Sequence, residues 1–130
     1  MPKALNLHPL AEEHVVLADA RDLDPDEKIL VGEAAITHLT DVNDLLSCSL
    51  PDKPLYVHLD TDIVDPNEAP AMNYLAAGGP SAKELQTVMK HLNRTGQITA
   101  VSVSTWNPKM DEDDQSRKVC MQLLDTLIGG

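Results

Sequence analysis

The stretch LYVHLDTDIVDP, residues 55–66, runs an apolar segment directly into three aspartates, Asp60, Asp62 and Asp65. Leu55, Val57 and Leu59 alternate with Tyr56, His58 and Asp60, the period of two that marks a strand with two different faces. Extending the alternation by two residues puts His58, Asp60 and Asp62 on one side at the strand's carboxyl end. Two carboxylates that close repel each other and burial adds to the cost, so the arrangement calls for a cation or several hydrogen-bond donors. In open α/β sheets, ligands bind just beyond the carboxyl ends of strands, which is where this pair falls.

Oxygen donors suit a hard ion such as Mg²⁺ or Mn²⁺, and a neighbouring histidine tilts the choice toward manganese or another transition metal. Asp60 and Asp62 are therefore candidate metal ligands, with His58 a possible third. The competing reading is that both aspartates simply end the strand and cap local amides. Asp65, followed by Pro66, reads as a turn residue. His8, His14, His38 and His91 show no ligand spacing among themselves.

Away from this strand the chain alternates short β-rich runs with longer stretches of helical spacing, the pattern of βα units around a parallel sheet. Strands are expected at 14–19, 35–39, 55–60 and 98–105. A helix should open at DPDE (24–27), where Asp24 caps, Pro25 suits the first helical position and Glu27 completes a capping box. A short helix follows in 41–48. Behind Gly78 and Gly79, Ser81 and Glu84 form a second capping box, and Leu85, Val88, Met89 and Leu92 make a buried stripe that Gly96 terminates. The last helix presents Cys120, Leu123, Leu124 and Leu127 at core spacing. The fold class expected is a single α/β domain over residues 1–130, a three-layer parallel sheet with flanking helices, with residues 1–13 as an N-terminal arm.

The chain of 130 residues is long enough for one core, and its 42% hydrophobic content argues against disorder. A formal charge of −11 without a Lys/Arg cluster excludes a nucleic-acid partner. No apolar run approaches the roughly 18 residues of a membrane span, and the N-terminus has no signal-peptide core, so no membrane association and a cytoplasmic location are expected. Cys48 and Cys120 read as two buried small hydrophobes. The acidic runs at 24–27 and 111–114 read as solvated helix starts. No serine- or cysteine-type nucleophile–base pair is evident, and Gly78-Gly79 reads as the entry to a helix.

The segment HLDTDIVDPNEAPAMNYLAAGGPSAKEL (58–85) resembles the ureohydrolase family of arginases, agmatinases and formimidoylglutamases, which carry Ser-x-Asp-x-Asp-x-x-Asp-Pro, then a Pro, a Gly-Gly pair and a Ser/Thr-x-x-Glu helix start. SVSTWNP (102–108) is similar to the family's Asp-x-x-Glu-x-Asn-Pro strand end, and DARDLDPDEK (19–28) to an Arg-Asp-x-x-x-x-Glu segment. The likeness spans residues 14–130 and is to the C-terminal half of such a protein. It implies that Asp60 and Asp62 are two of the ligands to a Mn²⁺ pair that activates water against a guanidinium or formimino carbon. We further expect His58 beside the ligands, Asp65, Pro66, Asn107 and Pro108 as turn-fixing residues, and Thr105 with Trp106 at the rim of any pocket, with packing over a sheet edge the favoured reading for Trp106.

The family's Gly-Gly-Asp-His and Asp-Ala-His-x-Asp ligand motifs do not occur in this sequence, and Ser102 and Thr105 stand where the family has Asp and Glu. The function expected is thus part of a manganese metallohydrolase acting on guanidino or formimino compounds, inactive alone and completed by a missing N-terminal half or by a homo-oligomer. The alternatives are a non-catalytic arginase-like oligomerisation or binding module and a Mg²⁺-dependent receiver-like domain.

Overall fold

The computed structural model describes residues 8–129; residues 1–7 of the arm expected at 1–13 lie outside the described residues. Where it is described, the chain makes a 3₁₀ turn at Glu12–His14, and the Glu12 carboxylate accepts the Ala35 N–H at 2.9 Å. Four strands and three helices follow: β1 (Val16–Ala18), α1 (Pro25–Glu33), β2 (Thr37–Leu39), β3 (Leu55–Asp60), α2 (Ala82–Arg94), β4 (Ile98–Ser104) and α3 (Gln115–Ile128).

Both strand pairs are parallel, as the βα alternation predicts, and an isolated antiparallel bridge joins Met72 to Trp106. The strands form two separate ladders, β1 with β2 and β3 with β4, so the expected sheet is divided between β1 and β3. No described segment lies between those two strands to join them. The strand ends also differ from the expected ones, for local reasons. His14 is consumed by the 3₁₀ turn, Asp19 turns the chain at φ 56°, and Thr105 leaves β4 at φ 69°. The short helix expected in 41–48 is a 3₁₀ segment, Val42–Leu46, whose first amides are met by Asp41, with Oδ1 accepting the Asn43 N–H at 2.8 Å.

The core is built on α2. Ser81 and Glu84 bond reciprocally to each other's amides, at 3.3 Å and 2.9 Å, and fix the first turn. The expected stripe of Leu85, Val88, Met89 and Leu92 is buried, packed with Leu59 of β3 and with Leu123 and Leu127 of α3. Burial of such side chains is the main source of stability, each contributing roughly 1.5–3 kcal/mol relative to exposure. Cys120 is buried as expected, Leu124 only partly, and Cys48 is half-buried at a loop surface rather than inside. Helices α2 and α3 cover one face of the β3–β4 pair. On the opposite face Tyr56 is 65% exposed and His58 lies open to solvent. No helix among the described residues is long and apolar enough to cross a membrane.

The run 111–114 departs from the solvated helix start expected of it. Asp111 is buried, and its carboxylate accepts the Trp106 indole N–H at 3.0 Å and the amides of Ser116 and Arg117 at 3.0 and 2.7 Å. A carboxylate five residues from the helix interior thereby serves the free N–H groups of α3 and ties the β4 exit to that helix. Replacing Asp111 by Ala leaves three donors without their acceptor, and we expect a loss of about 2–3 kcal/mol in urea unfolding. The emission of Trp106, the only tryptophan, should shift to the red in the folded variant.

Candidate metal centre at the end of the third strand

β3 delivers Asp60 as its last residue, and the 3₁₀ turn Thr61–Ile63 carries Asp62 directly beyond it. Strand alternation is therefore broken between them, yet the tight turn brings the two carboxyl groups together. Burial, the charge of Asp60 and a hydrogen bond between the two push the Asp62 carboxyl up to about 6, Asp22 adds to the effect, and the Arg21 guanidinium opposes it. Thr105 Oγ1 donates to Asp60 Oδ1, accepts the Asp62 amide at 3.3 Å and meets Thr61 Oγ1 at 3.0 Å. Expected only at the rim of a pocket, Thr105 touches the acidic pair directly, and its left-handed backbone is what turns the hydroxyl onto Asp60.

The other expected residues fall around this pair. His58 is on the open sheet face, with Nδ1 2.6 Å from Ser102 Oγ and Nε2 3.2 Å from Ser104 Oγ, so both ring nitrogens are engaged by β4 hydroxyls. Among the described residues no three His, Cys, Asp or Glu side chains gather as a metal-holding group. Asp65 accepts both the backbone and side-chain N–H of Asn67, at 2.9 and 2.8 Å, and Pro66 follows it in the turn. Asn107 accepts the Lys109 amide and donates to Asn73, fixing the turn that Pro108 enters. Trp106 is held by Asp111 and does not line the groove beside the acidic pair.

Arg21 is the residue that sequence reading undervalued. Its Nη1 donates to Asp19 Oδ1 at 2.5 Å and to the Ile63 carbonyl at 3.1 Å, and its Nη2 to the carbonyls of Asp62 at 3.0 Å and Ala76 at 3.4 Å. Gly79 permits this arrangement: at φ 103° a Cβ would lie 2.4 Å from the Ile63 carbonyl oxygen and 2.9 Å from Arg21 Nη2. Asp60 and Asp62 supply two hard oxygen donors of the kind Mn²⁺ takes, but two donors leave an octahedral shell incomplete.

A folded-state pKa of about 6 against an ordinary 3.8 means that the folded chain binds the Asp62 proton more tightly than the unfolded one. Stability is therefore lost as pH rises from about 4 through 6. Asp62→Asn removes that loss, and we expect it to stabilise the metal-free chain by about 1 kcal/mol at pH 7 after discounting for solvent screening, with no gain below pH 4. Thermal melts at pH 7 and pH 3.5 provide the comparison.

The sequence model of the Arginase family matches residues 3–129. An arginase of Plasmodium berghei is 26% identical over 155 residues, covering 98% of this chain and 43% of the relative. The crystal structure of arginase from Bacillus subtilis superposes with a TM-score of 0.81 at 26% identity, covering 100% of this chain and 50% of that one. Formimidoylglutamase from the same bacterium shares the fold, with a TM-score of 0.75 at 13% identity. The chain spans about half the length of the relatives it matches. With an acidic strand end, a parallel α/β frame and a family match along nearly its whole length, the chain belongs to the arginase family.

Proposed function

We propose that this chain supplies the Asp60–Asp62 part of a manganese centre in an arginase-family hydrolase that cleaves a C–N bond of a guanidino or formimino compound. The observation that carries the reading is the convergence of these two carboxyls at the end of β3, at a cost in repulsion that a cation would relieve. Mn²⁺, when bound, would lower the pKa of a bound water. The residues of this chain have other tasks. Asp60 and Asp62 would hold the ion, Thr105 orients the Asp60 carboxylate, and Arg21 fixes the turn that carries Asp62. The remaining donors would come from the complementary half that the relatives carry, and a cytoplasmic setting fits this reading.

Ser102 and Thr105 favour a second reading, a non-catalytic member that keeps the fold without the family's substrate-facing acids. They also argue against arginine or agmatine as the substrate, because neither hydroxyl offers a charge to a guanidinium.

Calorimetric titration of the chain with Mn²⁺ tests the metal reading. We expect saturable binding that the Asp60→Asn/Asp62→Asn variant abolishes, and that weakens about tenfold per pH unit below 6 as Asp62 takes up its proton. Binding that the variant retains, or no saturable binding at pH 7.5, would overturn it.

A further inference from the structure

The open face of the β3–β4 pair carries a run of hydrogen-bonded side chains that the metal reading does not use. The parallel register sets His58 directly opposite Ser102, with Tyr56 two residues earlier on β3 and Ser104 two residues later on β4. Tyr56 Oη lies 2.6 Å from Ser102 Oγ, Ser102 Oγ 2.6 Å from His58 Nδ1, and His58 Nε2 3.2 Å from Ser104 Oγ. Tyr56 and His58 are exposed and border a groove of about 860 Å³ that runs between the two ladders. Hydrogen bonds on an exposed face gain little over those to water, so stability alone gives weak reason for three in series.

Each hydroxyl has one proton and the neutral imidazole one N–H, so the run is ordered as a whole, with protons pointing from Tyr56 toward Ser104 or the reverse. With the imidazole proton on Nε2, Ser104 Oγ accepts it, Nδ1 accepts the Ser102 proton, and Ser102 Oγ accepts from Tyr56. A hydroxyl that gives its proton to an imidazole beside open solvent is the arrangement of an activated serine nucleophile. Sequence spacing shows no such pair, because 44 residues separate its members.

We propose that Ser102, with His58 as its base, is an acyl-transfer site for neutral esters that works without a metal. In the first step Ser102 Oγ bonds to the ester carbonyl carbon while its proton passes to Nδ1; the bond to the alcohol oxygen breaks, and the alcohol leaves with that proton. Water then attacks the acyl-serine and gives a proton to Nδ1; the bond from carbon to Oγ breaks, the carboxylic acid leaves and Ser102 recovers its proton. The Tyr56 hydroxyl, 2.6 Å from the attacking oxygen, donates to the carbonyl oxygen as charge develops there. Ser104 holds the ring through Nε2 and is a positioning residue. The surroundings set the substrate class: Val16, Ala18 and Leu92 give the groove an apolar lining that suits an aliphatic acyl chain, while Asp60 and Asp62 at its end repel a substrate carboxylate.

The test uses the whole chain with a chelator present, so that its outcome is separate from that of the Mn²⁺ titration. Diisopropyl fluorophosphate is the probe, mapped on the tryptic peptide of residues 95–109, where fragmentation distinguishes Ser102 from Ser104. We expect Ser102 to be labelled at least about a hundredfold faster than the exposed Ser49 in the same sample, the reach of a positioned base. His58→Asn keeps a hydrogen-bonding atom near the place of Nδ1 without a base, and should bring Ser102 labelling down to that of Ser49 while circular dichroism shows the fold intact. With 4-nitrophenyl butyrate, a burst of about one nitrophenolate per chain should precede slower turnover and vanish in Ser102→Ala. The comparison within the unsubstituted chain decides even where a variant fails to fold. The proposal is overturned if Ser102 reacts no faster than Ser49, if the label falls instead on Tyr56 or Ser104, if folded His58→Asn reacts at the full rate, or if Ser102→Ala keeps the burst.

Discussion

One guanidinium holds the two halves of this structure in register. Arg21 reaches from the end of the first strand to three backbone carbonyls that follow the third, and Asp19 balances its charge. Charge-assisted hydrogen bonds of this kind are stronger than neutral ones, and the planar fork of arginine donates in several directions at once. Its position explains the requirement for glycine at 79, because any side chain there would collide with both the arginine and its acceptor. It also explains why the turn bearing Asp62 is fixed although none of its side chains caps it. The acidic pair, the orientation of the two ladders and the width of the groove between them all follow from this contact.

Local patterning made much of this legible. The second helix could be read in full because its cap, its stripe and its terminating glycine lie within sixteen residues of one another. The convergence of Asp60 and Asp62 was legible as well, although by a mechanism other than the one read: a 3₁₀ turn, not continued strand alternation, brings the carboxyls together. The role of Arg21 was not legible, because its acceptors lie 41 to 55 residues away and are backbone atoms, which sequence does not distinguish. Asp111 misled for a related reason. In a run of four acids nothing local marks the one that is buried, and its selection depends on where Trp106 arrives from β4.

The acidic character of the chain also has an internal structure. Of its 21 acidic residues, Asp60 and Asp62 share the end of one strand, while Asp111 is spent on α3 amides and Glu84 on the cap of α2. The Ser81 hydroxyl and amide lower the pKa of Glu84, whereas burial and a like charge raise that of Asp62. Carboxylates of the same type therefore sit in opposite environments, one satisfied by donors and the other lacking them. The unsatisfied one is at the strand end, where a function has been placed.

Burial is distributed unevenly along the chain. The fully buried apolar side chains begin at Val42 and belong to the segments that pack on α2, while β1, α1 and β2 contain none. That first unit is attached through Ala18 and the Arg21 bonds, with Ile29 and Leu30 of its helix facing solvent. Local opening of β1, α1 and β2 is therefore expected to cost less than melting the α2 core. Such an opening would keep the β3–β4 ladder but break the Arg21 bonds, and so free the turn that presents Asp62.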